Sequence, residues 1–251
     1  MSVAVIGAYY GISALGFGTL NYLGISYIDD RILWAGIPMM VALAGLGLWV
    51  QPHRRAMIDP RQLWFQWDHT PLFLIPFLTL ATIIGVFVEA TMSNMFTPLL
   101  ISATVLALLI GFAEEAIFRR YLLELANGQS AARIGLVFIY SVLSFAFVHM
   151  MNIFSGLSVG EAFSQSLYTV KFGIVAALIY LVTKNFLAIA CWHAVTDYGL
   201  FVSQIGDFQS VGILGQVIDW VMWVSTALAA LYAVVRFGRY VRNTQNPQST
   251  P

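Results

Sequence analysis

Long apolar runs, each closed by a few polar residues, organise this chain along most of its length. A membrane-spanning helix needs about 20 mostly apolar residues. About eight segments reach or approach that length: Val3–Ile28, Ile32–Val50, Pro71–Met92, Pro98–Leu125, Arg133–Met151, Leu167–Thr183, Asn185–Val202 and Val211–Phe237. The runs are continuous rather than alternating, which predicts helices and not a barrel. The expected fold is all-α, a polytopic membrane protein built as one domain over 1–242, with its motif-bearing core at about 98–202. The first segment lacks a basic leader and is too long for a signal-peptide core, so it reads as a permanent helix. Segments six and seven meet at Lys184–Asn185 with almost no loop, and segment eight carries Asp219. The longest connection, Gln51–Pro71, mixes Trp64, Phe65 and Trp67 with Arg61, His53 and His69, a composition suited to the headgroup region. The polar tail Asn243–Pro251 reads as disordered.

Composition narrows the class. Of 251 residues, 59% are hydrophobic and 10% charged, with mean hydropathy +0.80. An ordinary soluble domain is about 25% charged. A soluble enzyme, a disordered chain and a nucleic-acid binder are thereby excluded, and the lipid bilayer becomes the expected surroundings. One cysteine, Cys191, excludes an internal disulfide and any multi-cysteine metal site.

The twelve acids and twelve basic residues cancel in number but not in place. With eight spans, the even-numbered loops and both termini share one side. That side collects Arg54, Arg55, Arg61, Arg119, Arg120, Arg133, Lys184, Arg236, Arg239 and Arg242. Arg31 and Lys171 remain for the other side. The positive-inside rule then puts both termini in the cytoplasm. A lean chain of this kind suits a bacterial plasma membrane. Small-residue pairs such as Gly16/Gly18 and Gly45/Gly47 do not specify an oligomeric state.

A charge at mid-bilayer costs about 2.5–3.5 kcal/mol or more, so polar residues inside the spans demand a reason. They cluster in three places. Helix four carries Gly111-Phe-Ala-Glu114-Glu115-Ala-Ile-Phe-Arg119-Arg120. Glu115 and Arg119 are i,i+4 and can pair; Arg120 and Glu124 repeat the spacing. Glu114 has no basic partner at that spacing and is free for another task. Helix five carries Phe145-Ala-Phe-Val-His149, and helix seven carries His193-Ala-Val-Thr-Asp197 with its His and Asp on one face. Helices four and five form a hairpin turning near Gly128–Ala132. At 1.5 Å per residue, Glu114 and His149 differ in depth by only ~5 Å.

A carboxylate and two imidazoles in a wet cavity can activate water and stabilise an oxyanion. Ser141 and Ser144 lie one to two turns before His149, but no nucleophile elbow surrounds them. No HExxH occurs, although a Glu/His/His set can hold zinc with an open position. A proton-coupled transporter using Asp219 is a further alternative, against which stands the lack of internal repeats.

Together the three motifs resemble the CAAX protease and bacteriocin-processing (CPBP, or Abi) family of intramembrane glutamic endopeptidases. That family carries EExxxR, FxxxH and HxxxN or HxxxD on separate helices, which here are Glu114-Glu115 to Arg119, Phe145 to His149, and His193 to Asp197. The resemblance spans roughly Leu106–Tyr198. It implies a cavity open to the cytoplasmic side and hydrolysis of a membrane-associated or small peptide substrate. It implies that Glu114 activates water with help from His149, and that His193 and Asp197 serve the oxyanion. Glu115 and Arg119 would orient the site, with Phe145 in support. No cofactor is implied by the glutamic mechanism, with zinc as the alternative. Many members have asparagine where this chain has Asp197. An ionised aspartate cannot donate a hydrogen bond, so Asp197 is expected to orient and charge His193. The competing reading is a non-catalytic bacteriocin-immunity or scaffold protein.

Overall fold

The computed structural model describes residues 2–51, 74–92, 94 and 96–205. Among these, every regular element is helical: α1 (Ser2–Tyr22), α2 (Ile32–Val50), α3 (Leu74–Met92), α4 (Pro98–Glu124), α5 (Ala131–Ser155), α6 (Val159–Thr183) and α7 (Phe186–Gln204). Six of them, α1 to α6, are long and apolar enough to cross a membrane; α7 contributes a shorter apolar stretch, Phe186–Val202. The expectation of about eight spans is therefore met for six. The eighth segment with Asp219, most of Gln51–Pro71 with His53 and His69, and the tail 243–251 lie outside the described residues.

Local chemistry sets the boundaries. Helix α6 begins eight residues before the hydropathy run Leu167–Thr183, because Ser158 and Glu161 form a reciprocal capping box. Its first two turns carry Glu161, Ser164, Gln165 and Ser166, which dilute the apolar signal there. Helix α5 ends in a tightened 3₁₀ segment, His149–Ser155, and stops at Gly156, whose φ of 96° suits glycine. Lys184 takes a left-handed φ of 54° and Asn185 caps α7 through the Ala188 amide, giving the near-loopless turn.

The helices alternate in direction, which gives the bundle two distinct ends. At one, Lys184 pairs with Glu124 at 3.0 Å and Tyr180 donates to the same oxygen. Arg133 lies at this end too, and it is called the basic end below. Glu124 is thus held from α6 rather than by Arg120, whose guanidinium lies 5.7 Å from the Phe186 ring centre. At the other, the Tyr27 amide of the α1–α2 loop donates to the Ser155 carbonyl at the end of α5.

Helix α4 is the central element, packed by α2 on one side and α7 on another. Gly111 makes the α7 approach close: a Cβ there would collide with the Ala190 carbonyl and lie 2.9 Å from the Ala194 amide. Below it, Glu115–Tyr121 winds as a π-helix. Such turns are rare and recur at functional sites. Their loosened carbonyls find partners on other helices: Gln51 Nε2 donates to the Ala116 carbonyl at 2.9 Å, and Ser141 Oγ donates to that of Phe118.

Candidate active site

The three motifs meet where α4, α5 and α7 converge. Glu114 closes the α-helical part of α4, and Glu115 opens the π segment. His193 arrives from α7 through the contact that Gly111 permits. Its Nδ1 donates to Glu115 Oε1 at 2.9 Å, since a carboxylate oxygen is an acceptor. Its Nε2 then lies 3.6 Å from Glu114 Oε2 and 3.5 Å from Asp197 Oδ2. One imidazole therefore touches all three carboxylates. Glu115 holds the ring in place, and Asp197 sits at the nitrogen that faces Glu114. The expectation that Asp197 would orient His193 is refined accordingly: the orienting hydrogen bond comes from Glu115.

Glu115 Oε2 also meets Arg119 Nε at 3.3 Å, the i,i+4 pair anticipated from the spacing. Both side chains are fully buried. Arg119 is consequently an interior charge and not one of the loop residues that mark the cytoplasmic side. Its guanidinium lies 3.8 Å from the Phe145 ring centre, a cation–π contact that helps compensate a desolvated charge. Phe145 is the packing hub of the site. It meets Phe118, His149 and His193 edge-on at centroid distances of 5.6, 5.4 and 5.6 Å. Phe172 packs on His193 at 4.7 Å and stacks on Trp192 at 4.4 Å.

His149 begins the 3₁₀ segment, and its Nδ1 donates to the Phe145 carbonyl at 3.2 Å. That bond fixes the tautomer of a neutral ring, leaving Nε2 as the acceptor. His149, Glu114, His193 and Asp197 all line one cavity of about 180 Å³. Ser141 and Ser144 do not line it; Ser141 is committed to the Phe118 carbonyl.

Tyr9 was not visible as a site residue from the sequence. Only 1% exposed, it packs against Phe118 and donates its hydroxyl to Glu114 Oε1 at 3.3 Å. A lone tyrosine in an apolar run 105 residues away carries no motif. Ser13 and Phe17 on the same helix, and Met39, Met40 and Leu43 on α2, also line the cavity. Glu114 Oε2, by contrast, has no hydrogen-bond partner among the described residues. A buried carboxylate oxygen ordinarily has one.

Among the described residues, no group of three or more His, Cys, Asp and Glu side chains is placed to hold a metal ion. No curated protein and no solved structure matches the chain. Residues 96–199 match a family model described as Rce1-like, type II CAAX prenyl endopeptidase Rce1-like. The segment that supplies Glu114, Glu115, Arg119, Phe145, His149, His193 and Asp197 is thus similar to a CAAX-type intramembrane protease, the resemblance that the three motifs carry.

Proposed function

We propose that the protein is an integral membrane endopeptidase that hydrolyses peptide bonds of membrane-associated or small peptide substrates with a glutamate-activated water. The observation that carries this reading is Glu114 Oε2, a buried carboxylate oxygen without a hydrogen-bond partner, beside His193 in a cavity shared with His149. A water between Glu114 and His149 satisfies that oxygen and is aimed at the cavity. Its oxygen attacks the peptide carbonyl while Glu114 accepts a proton. The carbonyl oxygen gains the charge, and the Nε2–H of His193 donates to it. Collapse breaks the C–N bond, and the proton held by Glu114 passes to the leaving amine. Asp197, 3.5 Å from that nitrogen, compensates the positive charge on a protonated His193. Glu115 and Arg119 keep the ring and the carboxylate in register. This route requires no metal.

The orientation is part of the same reading: the basic end and both termini face the cytoplasm.

The test is cleavage of a membrane-tethered peptide by the purified protein in liposomes. A general base contributes roughly 10²–10⁴ in rate, so Glu114→Gln is expected to lose at least about a hundredfold while unfolding at an unchanged temperature. Cleavage is expected to persist after dialysis against a strong chelator. A Glu114→Gln protein that cleaves like the wild type would overturn the mechanism. One that retains its biological effect in cells without cleaving favours the immunity or scaffold reading.

A further inference from the structure

Counting charges along the sequence left Lys171 on the side opposite the basic end. The capping box at Ser158 moves the start of α6 back, and Lys171 falls at the middle of that helix. It is twelve residues from Val159 and ten from Leu181, the bounds of the stretch apolar enough to cross a membrane, or ~18 Å and ~15 Å along the helix. A lysine stem reaches roughly one helical turn, ~5.4 Å, so the ammonium stops short of either headgroup layer.

Lys171 is nevertheless on the outside of the bundle. It is exposed, between Leu167 at 54% and Ile174 at 39% exposure on the same face. It makes no hydrogen bond or ion pair among the described residues. The acids of the described helices are placed elsewhere. Glu114, Glu115 and Asp197 surround His193, and Glu124 holds Lys184. Glu161 caps α6, and Glu89 belongs to α3, which packs on α7. A charge at mid-span is costly unless it pairs with another.

The chain supplies one acid in a matching position. Helix α7 ends at Gln204, at the end of the bundle where α6 starts. The apolar run Val211–Phe237, separated from Gln204 by six residues, would enter from that same end and run parallel to α6. Asp219 is the one acid in that run, eight residues from Val211 or ~12 Å. Side chains lean towards the start of their helix, which carries the Lys171 ammonium back from ~18 Å towards the same depth. At helical spacing, Gly212, Gly215 and Thr226 share the face of Asp219, and Gly160 and Ser164 share that of Lys171. A Cβ at Gly160 would meet nothing within 4 Å. Small residues on both faces let membrane helices approach closely. A second copy docked face to face would instead set Lys171 against Lys171.

We propose that Val211–Phe237 covers this face of α6, packed parallel to it, with Asp219 paired to Lys171 inside the membrane. The proposal does not rest on the peptidase reading.

Charge exchange in the full-length protein tests the pair. Lys171→Asp and Asp219→Lys each set two like charges together, and each is expected to lower the unfolding temperature in detergent by about 5 °C or more. The double exchange is expected to recover most of that loss. A double exchange no more stable than the single variants overturns the proposal, as does a Lys171→Gln protein as stable as the wild type. Cross-linking is the second measurement, in a Cys191→Ala background that removes the one native thiol. Ser164→Cys and Gly212→Cys, each seven residues before its charged partner, are expected to join in a disulfide within one chain on mild oxidation. Ser164→Cys with Leu214→Cys, turned to another face, is expected to stay reduced. Where the charge variants fail to accumulate, this disulfide decides, and a pair that stays reduced overturns the proposal. A disulfide between two chains carrying Ser164→Cys alone would place a second copy on the face and also overturn it. None of these measurements uses cleavage, so their failure leaves the peptidase reading as it stands.

Discussion

The two oxygens of Glu114 have different neighbours: Tyr9 donates to Oε1, and Oε2 faces His193. A hydrogen bond to a charged group is worth about 1.5–3 kcal/mol, and 1.36 kcal/mol is tenfold in rate. Tyr9→Phe keeps the ring packed on Phe118 but frees the carboxylate to rotate. Turnover is expected to fall roughly tenfold or more with KM unchanged. In a Glu114→Gln background the same substitution is expected to cost little, because the oriented carboxylate is already gone. Equal losses in the two backgrounds would show that Tyr9 acts through packing alone. A second residue-scale expectation concerns the loop that brings Tyr27 to the cavity. Arg31 donates to both oxygens of Asp29 and to the Gly24 carbonyl, and its bonds to the carboxylate hold the Asp29 carboxyl down to about 2 from its ordinary 3.8. Because the folded value is the lower one, the pairing contributes fully above pH 3.8 and is lost as pH falls through about 2. Carbon-detected NMR of the carboxyl is expected to show that low midpoint, and Arg31→Gln to return it towards the ordinary range.

At the scale of the element, α4 explains both what the sequence disclosed and what it hid. Its bounds follow from Thr97, which caps it, and Pro98, which opens it. The Glu115–Arg119 pair follows from helical spacing. The π-helical winding does not, since the residues that satisfy its carbonyls, Gln51 and Ser141, are on other helices. The start of α6 was obscured for the opposite reason: its cap is local, but the polar residues of its first turns, of which Gln165 lines the cavity, depress the hydropathy signal. Gly111 looks like any small residue in an apolar run, and only the approach of α7 reveals its use. Gly111→Ala gains up to about 1 kcal/mol of helix propensity but drives a methyl group into the Ala190 carbonyl and Ala194. Overpacking costs about 1–3 kcal/mol, so the protein is expected to unfold at a lower temperature in detergent. Cleavage should fall further than stability does, because the shift of α7 carries His193 away from Glu114. Gly45→Ala, where a Cβ meets nothing within 4 Å, serves as the control, with wild-type behaviour expected. Equal stability of the two variants would remove the argument from close approach.

For the whole molecule, charge placement and cavity placement give two readings of which way the protein faces, and their comparison is informative. The family resemblance implies a cytoplasmic mouth, while the orientation proposed above puts the cytoplasm at the end where Phe118, Arg119 and Leu122 of α4 are fully buried. Arg119 weakens the charge count by one, since it is interior and paired with Glu115; Arg133 and Lys184 still mark the same end. Burial of individual side chains was not legible in the sequence, because an arginine in a loop and an arginine in a bundle obey the same spacing. The even number of spans rests on the Val211–Phe237 segment, and a pair of reporter fusions decides it. A reporter that fluoresces only in the cytoplasm, joined directly after Gln204, is expected to stay dark when α7 ends on the outer side. The same reporter joined after Pro251 is expected to fluoresce, because one more span returns the chain to the cytoplasm. A periplasmic phosphatase reporter should give the reverse pattern at the two positions. If both positions report the same side, segment eight does not cross the membrane, and the two termini lie on opposite faces. In that case the nine remaining basic residues no longer share one side, Arg236, Arg239 and Arg242 separating from Arg133 and Lys184. With Lys171 kept on the outer side, the basic residues would then divide six against five, too even a split to assign an orientation.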